Sequence, residues 1–173
     1  VKKKTYDFLG SIYRNTTYEE LDLCFSSIAH QTYKPKKIIL VIDGPINFDI
    51  KKLIKKYSYF FKVKLINLEK NIGLGLALRY GLKFCTSKYV LRFDSDDYNL
   101  PNRAEKQIKY MESKNLDISS SSVYEFIDHP DNIRSIKNIP LTDPEIRRTL
   151  PFRNPFNHPS ICFKLSSIMK IDG

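Results

Sequence analysis

Blocks of apolar residues predict that strands and helices alternate along the chain. Residues 37–42 (KIILVI) form a continuous apolar run, which is typical of a strand buried on both faces. Before His30, four apolar residues recur at helical spacing and predict an amphipathic helix. These four residues are Leu21, Cys24, Phe25 and Ile28. Further strands are predicted at 6–13, 62–68, 88–93, 116–127 and 160–164, and further helices at 48–59, at 71–81 and with Pro101 in the first turn.

Polar residues and prolines indicate where several of these elements begin and end. Thr16 and Thr17 can cap the first predicted helix. Glu19 and Glu20 are placed as capping-box partners for these threonines. From Asp128 onwards the apolar pattern weakens, and repeated prolines predict that the segment up to residue 159 is mostly loop.

The order of these elements predicts an α/β fold. Strands that alternate with helices imply a mostly parallel central sheet flanked by helices. Ligands of such sheets bind beyond the carboxyl ends of the strands, and both Asp43 and Asp94 follow predicted strands. We therefore expect these two carboxylates at one edge of the sheet. The length of 173 residues fits a single domain over residues 1–173, without an internal repeat.

Composition narrows the class of protein further. No run of about 18 apolar residues is present, and no apolar signal-peptide segment follows the basic residues 1–5. The three cysteines Cys24, Cys85 and Cys162 have neither metal-binding nor redox spacing. We interpret them as buried, reduced residues of a cytosolic protein.

The net charge of +10 is unevenly distributed along the chain. Residues 1–87 contain 16 Lys and Arg against 7 Asp and Glu, whereas residues 88–173 contain 13 against 12. A basic surface can attract nucleic acid, anionic lipid or a phosphorylated ligand. The alternative is a solvated helix face, which four lysines at helical spacing support. They are Lys51, Lys52, Lys55 and Lys56.

An acidic cluster follows the predicted strand at 88–93. Asp94, Asp96 and Asp97 would repel one another if they converged without a cation. Hard oxygen ligands suit Mg²⁺ or Mn²⁺, which commonly bridge to phosphate oxygens. The alternative is a solvated acidic loop before the helix at Pro101.

Two loops add further candidates for a site. The segment 71–75 (NIGLG) precedes a helix, whose N-terminus favours anions, although it matches neither a P-loop nor a dinucleotide-binding motif. Tight helix–sheet packing through Gly73, Gly75 and Gly81 is the alternative explanation for its glycines. His158 lies in the loop 154–159 (NPFNHP), where a metal ligand, a phosphate contact and a surface residue all remain open.

Several motifs occur in a fixed order along the chain. They are Ser11-Ile12-Tyr13, Ser27 to Thr32, Lys37 to Gly44, Asn71 to Gly81, and Asp94 to Asp97 followed by Pro101-x-Arg103. In this order they strongly resemble family 2 glycosyltransferases of the GT-A fold, over nearly the whole chain. The ending 155–159, with Asp128 before it, resembles the subgroup of exopolysaccharide transferases of the amylovoran type.

The resemblance implies roles for the matched residues. Tyr13 and Asp43 would contact the base and ribose of a nucleotide, usually uridine. The expected donor-binding residues are Tyr13, Asp43, Asn71, Gly73, Arg79, Asp94 and Asp96. The expected ligands of Mn²⁺ or Mg²⁺ are Asp96 and Asp97, with Asp94 and His158 as further candidates.

The chain departs from the family pattern in two places. Arg79 stands where the family commonly has Asn before the glycine matched by Gly81, so its contact with phosphate is only inferred. The family's catalytic base is an acidic residue soon after a glycine-rich turn, and the chain stops at 171–173, where that turn begins. The base is therefore expected beyond Gly173, in a longer enzyme. Residues 1–100 would form its nucleotide-sugar-binding half, and residues 101–173 the start of its acceptor-side half.

The resemblance implies an inverting, metal-dependent hexosyltransferase of bacterial surface polysaccharide biosynthesis. It would move a sugar from a nucleotide donor, expected to be UDP-linked, to a saccharide or lipid-linked acceptor. The basic first half is compatible with anionic lipid, so the expected location is the cytoplasm, including peripheral association with the inner face of the membrane.

Three alternatives have different sequence signatures. A nucleotidyltransferase would normally show a glycine-rich basic loop after the first strand, where residues 14–17 (RNTT) stand instead. A nucleic-acid-binding module could use the 11 Tyr and 11 Phe residues for stacking. Most of these aromatics fall at predicted core positions, however, and no nucleic-acid partner is expected. An inactive fragment that only binds the nucleotide sugar is the third alternative.

Overall fold

A computed structural model describes residues 5–171. The end of the turn expected at 171–173 lies outside the described residues. The strands are β1 (Tyr6–Ile12), β2 (Lys37–Asp43), β3 (Val63–Leu68), β4 (Tyr89–Arg92), β5 (Ile118–Ser119), β6 (Val123–Ile127), β7 (His129–Lys137) and β8 (Cys162–Lys164). The helices are α1 (Tyr18–Ala29), α2 (Phe48–Tyr57), α3 (Leu74–Leu82), α4 (Arg103–Ser113), α5 (Asp143–Thr149) and α6 (Leu165–Met169). A single 3₁₀ turn spans His158–Ser160.

The central sheet has six strands in the order β3-β2-β1-β4-β8-β5. Strand β1 pairs in parallel with β2 and β4, and β2 pairs in parallel with β3. Strand β8 runs antiparallel to both β4 and β5. The expected mostly parallel sheet is therefore confirmed, and the carboxyl ends of β1, β2 and β4 meet at one edge.

Helices cover both faces of this sheet because its central strands are apolar on both sides. Alternate residues such as Phe8, Leu40 and Leu91 pack with α1, α2 and α4 on one face. Leu9 and Ile39 point to the other face and pack with the end of α3 and residues near α6. The buried run in β2 has the double-sided burial that its unbroken apolar pattern predicts.

Helix boundaries confirm one predicted signal and correct another. Thr17 and Glu20 form the capping box at the start of α1, whereas the Thr16 hydroxyl accepts a hydrogen bond from the amide of Tyr13. Pro101 was expected in the first turn of α4, but that helix begins at Arg103. Pro101 instead lies in the preceding turn, where its carbonyl accepts a hydrogen bond from the amide of Thr32.

The expectation that residues 128–159 are mostly loop is wrong. Strands β6 and β7 form an antiparallel hairpin, and α5 follows it. The prolines of this segment border the elements. Pro130 is the second residue of β7, Pro140 lies between β7 and α5, and Pro144 lies in the first turn of α5. The extended segment predicted at 116–127 is two strands, β5 and β6, separated by residues 120–122.

The cysteines agree with the expectation that they are buried and reduced. Cys24, Cys85 and Cys162 are all buried free thiols. Within residues 5–171, every helix is too short or too polar to cross a membrane.

Candidate functional site

The three aspartates after β4 converge at the carboxyl edge of the sheet. One side-chain oxygen from each of Asp94, Asp96 and Asp97 lies within 4.8 Å of the others. Burial, together with the charges of Asp94 and Asp96, raises the pKa of Asp97 to about 6. Oxygen ligands that repel one another in this way fit a hard divalent cation, which would remove the repulsion. The arrangement therefore suits the metal expected from the sequence.

Two arginines lie next to this cluster. The Arg92 side chain is 3% exposed and places Nη1 2.5 Å from Oδ1 of Asp94. Its Nε and Nη2 have no hydrogen-bond partner among residues 5–171. Arg103 donates from Nη2 to the carbonyls of Arg92 and Pro159, both at 2.7 Å. Burial lowers the pKa of Arg103 to about 10, so its charge persists at neutral pH and offsets part of the negative charge.

Helix α1 and the residues after it hold the loop that carries the cluster. The Cys24 thiol donates to the carbonyl of Asp94 at 3.2 Å. The Ser27 hydroxyl accepts from the amide of Asn99 at 3.0 Å, and the Gln31 amide group donates to the Asn99 carbonyl at 3.1 Å. Because Ser27, Gln31 and Asn99 are buried, their polar groups need these partners, and the bonds hold the loop in one position. The Ser27 to Thr32 motif thus has a structural role in fixing the acidic loop.

Asp43 fixes the loop before α3. Its two carboxylate oxygens accept from the amides of Ile72 and Gly73, at 2.8 and 3.0 Å. The side chain of Asn71 donates in turn to the carbonyl of Asp43 at 3.2 Å. Gly44 and Gly73 both have a φ of +89°, a conformation that favours glycine. Asp43 therefore shapes the loop of the predicted donor site, whatever direct contact it makes with a nucleotide.

A cavity of about 560 Å³ opens between the carboxyl ends of β1, β2 and β4. This volume is in the usual range for small-molecule sites. Six of the seven predicted donor-binding residues line it: Tyr13, Asp43, Asn71, Gly73, Asp94 and Asp96. Ser11, Asn15, Thr16 and Glu20 complete much of the remaining wall, and they were not among the predicted site residues.

A larger groove lies on the other side of the acidic cluster. Its volume is about 1620 Å³, and its walls come from α4, the β6–β7 hairpin and the 3₁₀ turn. Asp97 lines only the groove, whereas Asp96 and Glu20 line both the groove and the smaller cavity. The cluster therefore lies where the two spaces meet.

Two predicted site residues lie apart from the cavity at the strand ends. Arg79 is exposed on α3 and lines neither space. His158 lines the groove and does not belong to the group of three aspartates. Burial is the main cause that lowers the pKa of His158, and the charge of Arg92 is the second. The phosphate contact of Arg79 and the metal contact of His158 stay predictions.

The glycines around α3 have different surroundings. A Cβ at Gly81 would lie 2.6 Å from Leu9 Cδ1 and 2.8 Å from Val41 Cγ2, so this glycine allows α3 to pack closely on the sheet. A Cβ at Gly73 or Gly75 would have no neighbour within 4 Å. Tight packing therefore explains Gly81 alone.

Sequence reasoning missed the role of Arg92 and strand β7, which pairs with β6 to form a wall of the groove. A charged residue inside an otherwise apolar strand, two positions before Asp94, was an available signal for Arg92. The hairpin gave a weak signal because both of its strands expose residues on both faces.

Two solved structures have a similar fold. Staphylococcus aureus TarS 1–349 in complex with UDP superposes with a TM-score of 0.75 and 18% identity, covering 97% of this chain and 49% of that one. The mannosyltransferase PcManGT from Pyrobaculum calidifontis, in complex with GDP-Man and Mn²⁺, gives a TM-score of 0.70 and 13% identity, covering 99% and 47%. These likenesses confirm the GT-A fold.

Similarity to curated proteins extends over almost the entire chain. The amylovoran biosynthesis glycosyltransferase AmsE of Erwinia amylovora is 36% identical over 95% of this chain. An Escherichia coli UDP-Gal:α-D-GlcNAc-diphosphoundecaprenol β-1,3-galactosyltransferase is 35% identical over 97% of it. The chain spans 61% of the length of each of these relatives. The family model "Glycosyl transferase family 2" matches residues 11–171, and the chain therefore belongs to that family.

Proposed function

We propose that this chain binds the nucleotide-sugar donor of a metal-dependent, inverting glycosyltransferase in surface polysaccharide biosynthesis. The observation that carries the proposal is the position of Asp96, which lines both the donor-sized cavity and the larger groove. A donor in the cavity and an acceptor in the groove would bring the reacting atoms together beside the cluster.

We propose UDP as the nucleotide of the donor. TarS binds UDP in a structure of the same fold, and the Escherichia coli relative has UDP-Gal in its name. PcManGT was solved with GDP-Man, so the fold alone does not decide the base. The exposed ring of Tyr13, 45% accessible beside the cavity, supplies a surface on which a base can stack.

Asp96 and Asp97 would hold the metal, with Asp94 beside them. A bound Mn²⁺ or Mg²⁺ supplies positive charge to a leaving diphosphate. The protein's own part is to keep the carboxylates in place: Arg92 pairs with Asp94, and the Cys24 thiol holds the backbone of the same residue. Asp43 orders the opposite wall through the amides of 72 and 73.

We also propose a position for the base that deprotonates the acceptor. It would lie in a region that the longer relatives have and that this chain does not cover. The proposed acceptor is a saccharide, including one linked to a lipid, as in the name of the Escherichia coli relative. Peripheral association with the inner face of a membrane would bring the groove near such an acceptor.

Calorimetry with three nucleotides tests the choice of donor. UDP in the presence of Mn²⁺ should bind more tightly than ADP or GDP, as expected from the UDP complex of TarS and from UDP-Gal in the name of the Escherichia coli relative. Equal or tighter binding of either purine nucleotide would remove the uridine assignment.

Substitutions in the acidic cluster test the metal. Asp96→Ala and Asp97→Ala should each abolish the Mn²⁺-dependent part of UDP binding, since both remove a hard oxygen ligand. Asp49→Ala is the matched control, because Asp49 is an exposed acidic residue on α2 that lines neither space. If UDP binding keeps its metal dependence in both cluster variants, the aspartates form only an acidic loop.

A further inference from the structure

The groove beside the acidic cluster has a basic side. Besides the partly buried Arg103, four exposed cationic residues line it: Lys106 on α4, Arg134 and Lys137 on β7, and Arg153 after α5. All four are exposed, and none of their side chains forms an ion pair within residues 5–171. We call these four residues the basic wall.

Some cations elsewhere in the same half of the chain are paired, whereas Lys88, Lys114 and Arg148 form no ion pair within residues 5–171. Lys109 contacts Glu105 at 2.7 Å, Arg147 contacts Asp143 at 2.7 Å, and Lys164 contacts Asp117 at 3.3 Å. None of these three cations lines the groove. The groove thus places four unpaired cations on one concave surface, where they act on whatever enters it. Its acidic lining residues are Glu20, Asp96, Asp97, Glu125 and Asp131.

Aromatic side chains accompany the basic wall. Tyr110 and Tyr124 are 52% and 53% exposed, and Phe126 and Phe156 are half-buried. All four line the groove. Exposed rings next to cations are suited to contact the apolar faces of sugars or an isoprenoid chain while the cations bind an anion.

The hairpin part of the wall is anchored to the turn next to the cluster. The Asn157 side chain donates to the carbonyls of Ser121 and Lys137, at 3.0 and 3.2 Å. The Ser160 hydroxyl bonds to the carbonyl of Ser121 at 3.0 Å, and Gln107 donates to the Ser160 carbonyl at 2.7 Å. Asn157 and Ser160 are buried, so these bonds fix the register between the hairpin and α4.

We propose that the basic wall binds the diphosphate of an acceptor in which a saccharide is joined to a lipid carrier. This inference rests on the proposed function, because it needs an acceptor in the groove. Arg134 and Lys137 contact the phosphate oxygens, with Lys106 and Arg153 at the sides. The aromatic residues contact the sugar and the first isoprenoid units. The acceptor sugar then lies toward Asp96 and Asp97, where the donor cavity opens into the groove.

Binding of farnesyl diphosphate to the 173-residue chain tests this assignment. The measurement is made in EDTA, so that the acidic cluster repels the diphosphate and cannot bind it through a metal. The double variant Arg134→Gln/Lys137→Gln should weaken binding at least tenfold. The matched control is Lys51→Gln/Lys55→Gln, which removes the same charge from α2 outside the groove and should change affinity by less than twofold.

Three further ligands separate the sources of the signal. Farnesol, without the diphosphate, should bind equally to the parent and to the groove variant. Inorganic pyrophosphate should bind more weakly than farnesyl diphosphate, and equal affinity would overturn the lipid-linked assignment. The groove variant and the α2 variant should both bind vesicles of anionic phosphatidylglycerol more weakly than the parent, with similar losses of affinity. A loss confined to the groove variant would mean that the wall is a membrane surface.

The outcome can be separated from that of the proposed function. UDP binding with Mn²⁺ is measured for the same variants and should be unchanged, which also shows that they are folded. If UDP binds normally and farnesyl diphosphate binds the groove variant as tightly as the parent, the basic wall has no such role. If the parent does not bind UDP at all, the proposed function itself is wrong.

Discussion

Arg92 is a single residue on which the acidic cluster depends. It is a buried cation at the end of β4, and its one ionic contact within the described residues is Asp94. Removing one partner of a buried pair leaves an uncompensated charge, which usually costs more than the pair contributes. The side chain therefore keeps Asp94 in one position while Asp96 and Asp97 remain free to bind a ligand.

Asp97 makes the stability of the metal-free protein depend on pH. Its pKa in the folded chain is about 6, above the ordinary value of 3.8, because of burial and its acidic neighbours. Between about pH 4 and 6 the folded state therefore holds a proton that the unfolded state has lost, and stability falls as the pH rises through this window. Asp97→Asn removes this loss. The variant should be more stable than the parent at pH 7, on the order of 1–2 kcal/mol after allowance for partial exposure.

Urea unfolding in EDTA at several pH values measures this difference. The contributions of the other titrating groups largely cancel when parent and variant are compared. The gap between them should shrink towards zero near pH 4. A gap that stays constant with pH, or a parent that is the more stable at pH 7, would contradict the effect attributed to Asp97.

At the scale of elements, the sequence predicted the strands and helices whose buried residues recur at regular spacing. The apolar run of β2 and the helical spacing in α1 are recognisable because their buried faces are continuous. Strand β7 and its pairing with β6 were missed because the hairpin carries register shifts, so its strands lack a simple alternation. The lining of the cavity at the strand ends was largely predictable because most of its residues follow strand ends, whereas the basic wall depends on how the hairpin folds back.

Gly44 links β2 to the loop before α3, and its substitution tests that link. Its φ is +89°, and an added Cβ would lie 2.9 Å from the amide nitrogen of Asn71. Gly44→Ala should lower the free energy of unfolding by roughly 1–2 kcal/mol, because it combines strain with a backbone clash. It should also weaken UDP binding, since Asn71 and Gly73 line the donor cavity.

Gly75→Ala is the control for this substitution. An added Cβ at Gly75 has no neighbour within 4 Å, and the residue lies in α3, where alanine is favoured over glycine by up to about 1 kcal/mol. Thermal unfolding should show this variant to be at least as stable as the parent. If Gly44→Ala is equally stable and binds UDP normally, the loop does not depend on that turn.

At the scale of the whole molecule, the acidic cluster is separated from many of the basic residues. The acidic cluster lies at the carboxyl edge of the sheet, whereas many of the 29 Lys and Arg residues lie elsewhere in the first half of the chain. The lysines of α2 project from the face opposite Ile50, Leu53 and Ile54, which are buried. The expected solvated helix face therefore fits the structure of α2. The net charge by itself says nothing about the ligand of the site.

This separation leads to a prediction about nucleic acid. A net charge of +10 should give weak binding to single-stranded and duplex DNA, in the range of about 10⁻⁴ to 10⁻⁶ M at physiological salt, without sequence preference. The logarithm of the affinity should fall linearly with the logarithm of the salt concentration, because the interaction consists of counterion release.

Replacing the four α2 lysines with glutamine should flatten this slope and leave UDP binding unchanged, since α2 lines neither cavity nor groove. Fluorescence anisotropy between 50 and 300 mM NaCl, about a sixfold range, suffices to measure the slope. Tight binding that resists salt and discriminates between sequences would instead support a nucleic-acid-binding module and count against the transferase, because a diffuse basic surface cannot produce it.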